Sequence, residues 1–118
     1  MTGAKATAKP FASEEWIDHV VSTISEKFDP ARVIVFGSRA RGDAGPESDL
    51  DLLVVFDQLD MSRRHELVAA VMAAVRAPVS VDVFVTDVAE FETKKNVNGS
   101  MIYWPAHEGV VVHEHSVA

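Results

Sequence analysis

Cysteine is absent from the 118 residues. Disulfides, thiolate metal sites and a cysteine nucleophile are thereby excluded. A cysteine-free chain fits an intracellular setting, and we expect it in the cytoplasm. No apolar run approaches the roughly 18 residues that span a bilayer, so no membrane association is expected. The first ten residues, MTGAKATAKP, lack the apolar stretch of a signal peptide. Positive charge is also scarce: 11 Lys and Arg stand against 18 Asp and Glu, for a formal net charge of -7. Basic residues are nowhere denser than the pairs Arg39/Arg41 and Arg63/Arg64. A duplex nucleic-acid surface needs a basic patch or stripe, and none is here. A small phosphate ligand needs only two or three cations and stays open.

What is present is ordinary globular material, 47% hydrophobic and 25% charged. The length suits one domain with a modest core. Residues 1–12 read as a flexible tail and 13–118 as a single domain. Ser13 is placed to cap a helix whose apolar positions are Trp16, Ile17, Val20, Val21, Ile24 and Phe28. Pro30 stops it. Arg32 to Phe36 reads as a strand, as does Leu50 to Phe56, apolar enough to be buried on both faces. Ser62 is placed to cap a second helix carrying Leu67, Val68, Val71, Met72 and Val75 on one face, and Pro78 lies beyond its end. Val79 to Val85 predicts a third strand. Asp87 and Glu90 have capping-box spacing before another helix, which Asn96 to Gly99 interrupts. Val110 to Val112 predicts an edge strand. This alternation predicts a layered α/β (α+β) domain, a mixed sheet of about four strands flanked by helices. The connection between the first two strands is too short for a long crossover helix, so they are expected to be antiparallel.

Three features of the chain carry chemistry. Gly37-Ser38 follows the first strand directly. Glycine permits close approach to the backbone, and a serine opening a helical turn offers N–H groups and a hydroxyl to an anion. Taken alone, the pair more often marks a plain turn. Asp49 and Asp51 stand two apart at the start of the second strand. Period two puts both carboxylates on one face, about 6.6 Å apart at Cα. They are either solvated at a strand end or joined by a cation such as Mg²⁺, which takes oxygen ligands together with substrate phosphates. Asp82 lies inside the third strand, on the face of Ser80 and Phe84. If that strand adjoins the second, three carboxylates converge. Two metal ions could then clamp an in-line phosphoryl displacement, with Asp82 able to accept a hydroxyl proton.

Gly37-Ser38, ten residues, then Asp49-Leu50-Asp51 resembles the Gly-Ser-x10-Asp-x-Asp signature of the nucleotidyltransferase superfamily that includes DNA polymerase beta. The form most similar in size is the minimal nucleotidyltransferase (MNT) domain, the antitoxin of HEPN/MNT toxin–antitoxin pairs. The motif match runs from Val33 to Phe56, with Asp82 in the place of the third acid. Glu108 to His113 resembles the family's terminal strand, although relatives often carry a tyrosine near His113. With its helices the resemblance covers about Ser13 to Glu114. It implies the small nucleotidyltransferase fold. It implies two Mg²⁺ ions held by Asp49, Asp51 and Asp82, and ATP held by Gly37, Ser38, Arg39, Arg41 and Ser48. The implied reaction moves AMP from ATP to a hydroxyl with release of pyrophosphate. In HEPN/MNT pairs the acceptor is a tyrosine on the HEPN ribonuclease toxin, which the modification silences.

Two other readings remain. The chain could neutralise a partner by binding alone, or it could modify a small hydroxylated molecule. Met101, Ile102, Tyr103 and Trp104 either meet a partner or cover the domain's own core. His113 and His115 have a spacing that suits a metal, though a solvated chain end explains them more simply. His19 and His65 read as surface residues.

Overall fold

The two apolar runs, Arg32–Phe36 (β1) and Leu50–Phe56 (β2), form the middle of a four-stranded sheet. The structure is a computed structural model describing residues 10–115; residues 1–9 of the expected tail lie outside the described residues. Helix α1 spans Glu15–Phe28, and a four-residue helix, α2 (Ser38–Arg41), follows β1. After β2 come a 3-10 turn at Met61–Arg63 and helix α3 (Arg64–Ala74). Strand β3 (Val81–Asp87), helices α4 (Val88–Lys94) and α5 (Tyr103–Glu108), and strand β4 (Val110–Glu114) complete the order.

The strands lie in the order β3-β2-β1-β4. The short connection makes β1 and β2 antiparallel, as expected, and β4 pairs antiparallel with β1 across a bulge at Val33/Ile34. The α3 crossover makes β2 and β3 parallel. The sheet is therefore mixed.

Alternation along β2 builds two cores. Leu50, Leu52 and Val54 face a cluster with Val33 and Val35 of β1, Ile17, Val20 and Ile24 of α1, and Val71 of α3. Leu53 and Val55 face the opposite cluster, with Ile34, Phe91 of α4 and Ile102. Asp51 stands on that second face, the one polar residue in the run from Leu50 to Phe56.

Several local expectations change. Phe11, read as tail, is buried in the first core. Glu14, not Ser13, holds the N-cap position of α1 and makes no side-chain cap. The helix ends at Asp29, whose left-handed backbone lets its N–H bond the Ser25 carbonyl before Pro30. Asp60, not Ser62, caps the 3-10 turn: its carboxylate accepts from both the N–H and the hydroxyl of Ser62. Met72, placed with Leu67, Val68, Val71 and Val75 on one helix face, is 46% exposed. Strand β3 sits two residues later than its apolar run suggests, because parallel pairing puts Leu50 opposite Val81. At its far end Asp87 caps α4 by accepting the Glu90 N–H at 2.9 Å. The Glu90 carboxylate does not return to Asp87 as a capping box would; it accepts from Thr86 and Arg64.

Gly109 lets the end of α5 lie against β1. A Cβ there would collide with the Pro105 carbonyl and the Ile34 side chain. Gly109→Ala is expected to cost about 1–3 kcal/mol, the range for overpacking. Urea unfolding checks this: the midpoint should fall with the slope unchanged.

Candidate active site

The register of the two parallel strands makes the site. Asp51 of β2 stands directly opposite Asp82 of β3, and on its other side opposite Phe36 of β1. The Asp51 carboxyl is close enough to feel the charges of both Asp82 and Asp49. Asp82 and Asp49 are exposed, while Asp51 is half-buried. Behind the carboxylates the same sheet face turns apolar: Phe36 and Phe84 meet with ring centroids 5.7 Å apart.

Burial first, then the charge of Asp82, its hydrogen bond and the charge of Asp49, push the Asp51 carboxyl up from 3.8 to about 6; Arg41 alone opposes them. Two carboxylates held this close share a proton or take a cation. An all-carboxylate donor set on one face fits a hard divalent ion such as Mg²⁺. Among the described residues, no group of three or more His, Asp or Glu side chains is placed to hold a metal ion without other ligands. Oxygens from the substrate would have to complete the coordination, as is usual for Mg²⁺ with phosphates.

Gly37 lies immediately beside the acid row. Its φ is +76, and a Cβ there would run into the Asp51 carboxylate. The group that approaches Gly37 here is the Asp51 carboxylate, whereas the sequence reading expected a ligand. Ser38 opens α2, and the ladder of that helix begins with the Ala40 and Arg41 N–H groups, both donated to the Gly37 carbonyl. The Ser38 and Arg39 N–H groups are thereby left over at the helix start.

The two arginines of the motif part company. Two residues apart on a helix means about 200° of rotation, hence opposite sides. Arg41 is on the site side: it is exposed, and donates to Asp43 at 3.3 Å and to Glu108 of α5 at 3.1 Å. Arg39 points inward. Its side chain is 2% exposed, pairs with Glu14, and donates to the Ser48 carbonyl at 2.7 Å. The expectation that Arg39 reaches phosphate oxygens is thus corrected. Ser48 also serves the loop: its hydroxyl accepts the Gly45 N–H at 2.9 Å. Glu14 and Glu108 carried no signal in the sequence; the opposite facing of Arg39 and Arg41 did.

The remaining expectations resolve simply. His115 bonds Asp57 at 3.2 Å, and His113 sits in β4 opposite Val33. His19 and His65 are exposed. Arg63 pairs with Glu66, and Arg64 ties α3 to α4 through Glu90. Ile102 is core and Tyr103 half-buried, whereas Met101 and Trp104 are exposed.

A raised carboxyl pKa fixes the sign of a pH effect. The folded chain holds a proton on Asp51 that the unfolded chain has lost between pH 3.8 and about 6. Stability of the metal-free protein therefore falls as pH rises through that window. Asp51→Asn is expected to remove the fall. Above pH 6 the variant should be the more stable by about 1 kcal/mol, allowing for solvent screening. Thermal unfolding in a chelator from pH 4 to 8 checks it.

The chain is similar in fold to a crystal structure from Sulfolobus solfataricus provisionally assigned as a nucleotidyltransferase. Identity is 24%, coverage 96% of this chain and 90% of that one, and the TM-score 0.59. Among curated proteins none matches. The profile of the nucleotidyltransferase domain matches residues 17–103, a span holding Gly37, Ser38, all three aspartates and both arginines. The chain belongs to the nucleotidyltransferase domain family.

Proposed function

We propose that this nucleotidyltransferase is an MNT-type antitoxin. It transfers AMP from ATP to a hydroxyl, a tyrosine's, on a HEPN-type ribonuclease toxin and so neutralises it. The observation that carries the chemistry is the pairing of Asp51 with Asp82 across β2 and β3, beside the bare backbone of Gly37. Apolar surface on α5 and the segment before it supports a protein acceptor: Met101 is 37% and Trp104 57% exposed. Their neighbour Ile102 packs against the sheet face that bears the acids.

Asp49, Asp51 and Asp82 would hold Mg²⁺, which when bound neutralises the carboxylates and polarises the phosphate oxygens. The chain's own groups do the rest. Gly37 lets the triphosphate approach the acid row, and the leftover N–H groups of Ser38 and Arg39 can donate to it. Arg41 can leave Asp43 and Glu108 for phosphate oxygens, which a guanidinium binds well. The acceptor oxygen bonds to the α-phosphorus as the bond from that phosphorus to the α,β-bridging oxygen breaks. AMP stays on the acceptor and pyrophosphate leaves. The hydroxyl proton passes to the exposed carboxylate of Asp82.

Label transfer tests this reading. The protein is incubated with Mg²⁺, a HEPN-type ribonuclease as acceptor, and ATP labelled at the α or γ phosphate. Label from α but not from γ should remain on the acceptor, and Asp49→Asn/Asp51→Asn should abolish it. A stable complex without transfer from either label would contradict catalysis and leave neutralisation by binding. Transfer only to small hydroxylated molecules would contradict the toxin as acceptor.

A further inference from the structure

A guanidinium as deeply buried as that of Arg39 is costly unless its donors are paired; both terminal nitrogens find partners and the buried Nε does not. Its partners come from separate stretches of chain. The Glu14 carboxylate precedes α1, and the Trp16 ring, on α1, lies 5.1 Å from the guanidinium carbon. The carbonyls of Ser48 and Pro46, at 2.7 and 3.4 Å, belong to the loop leading into β2. Within that loop Gly45 and Ser48 hold each other: the Gly45 N–H donates to the Ser48 hydroxyl, and the Ser48 N–H to the Gly45 carbonyl. Among the described residues, the hydrogen bonds that fasten segment 44–48 to the rest of the domain are those from Arg39.

The Ser48 carbonyl belongs to the peptide that also carries the Asp49 N–H. On the other side of Asp49, the Leu50 N–H donates to the Ser80 carbonyl at 2.9 Å. Asp49 lies between two fixed peptides, one held by Ser80, just before β3, and the other by Arg39. We infer that Arg39 is a positioning residue for Asp49: anchored by Glu14 and Trp16, it holds the peptide before Asp49 so that this carboxylate can join Asp51 and Asp82. The inference rests on the reading of those carboxylates as metal ligands. It also explains why arginine serves here. A planar fork can reach a carboxylate on one side and carbonyls on the other, which the single ammonium of lysine does less well.

Arg39→Lys tests it, with Val71→Ala as a control. Val71 is the buried residue of α3, in the first core, and makes no hydrogen bond with its side chain, so its truncation is expected to lower stability alone. Two quantities are read: hydrogen exchange of the amides in 42–49, and the Mg²⁺ concentration giving half-maximal AMP transfer. Arg39→Lys should speed exchange in that segment while the sheet stays protected. It should raise the half-saturating Mg²⁺ by about 10-fold or more, the usual effect of losing a group that orients a metal ligand. Val71→Ala should do neither. Wild-type exchange and Mg²⁺ dependence in a folded Arg39→Lys protein would overturn the inference, as would an equal Mg²⁺ shift in Val71→Ala. Should Arg39→Lys not fold, Glu14→Gln removes the charge that anchors the guanidinium; faster exchange in 42–49 supports the inference and unchanged exchange overturns it. Absence of transfer by the wild-type protein would refute the enzymatic reading separately, and the exchange data would still decide the role of Arg39.

Discussion

Asp51 and Asp82 sit side by side because β2 and β3 run parallel in a register that allows nothing else. Shifting β2 by one residue would still offer apolar side chains to both cores but would carry Asp51 into the first core, so the cost of burying that carboxylate opposes the slip. Leu50, Leu52 and Val54 lock one face; Leu53 and Val55 lock the other. The repulsion between the acids is local, and the burial around it is spread over the whole sheet. A carboxyl pushed up to about 6 in such a place is the kind of perturbation that marks functional sites.

The other charges near this pair are arranged to keep it available. Arg39 is spent on the fold, with Glu14 and the loop carbonyls as partners. Arg41 stays at the surface, held by carboxylates on two elements, and its charge reaches Asp51 without cancelling its neighbours. Gly37 removes the side chain that would otherwise fill the space beside Asp51. The result is a carboxylate row short of positive charge, next to backbone that a phosphate can approach.

Much of this was legible in the sequence for a physical reason. Strands announce themselves through β-branched runs, and Asp49, Asp51 and Asp82 stand out because acids interrupt those runs. The mixed sheet followed from one short and one long connection. What was not legible depended on distant partners. Nothing local to Arg39 says that Glu14, Trp16 and the Ser48 carbonyl will surround it, although its spacing from Arg41 rules out a shared target on one side of α2. The caps at Ser13 and Ser62 failed similarly: serine is favoured at such positions, but a neighbouring Asp60 accepts better, and α1 begins without a side-chain cap. Strand β3 slid two residues because pairing with β2, not its own apolar run, decides where it starts.

On the proposed function, the three aspartates would take a cation that arrives with a nucleotide. Calorimetric titration of the protein with ATP, in Mg²⁺ and in a chelator, tests it most directly. The account predicts binding in Mg²⁺, little in the chelator, and loss of the Mg²⁺-dependent part in Asp51→Asn. ATP binding of equal strength in both conditions, or undiminished in Asp51→Asn, would contradict it.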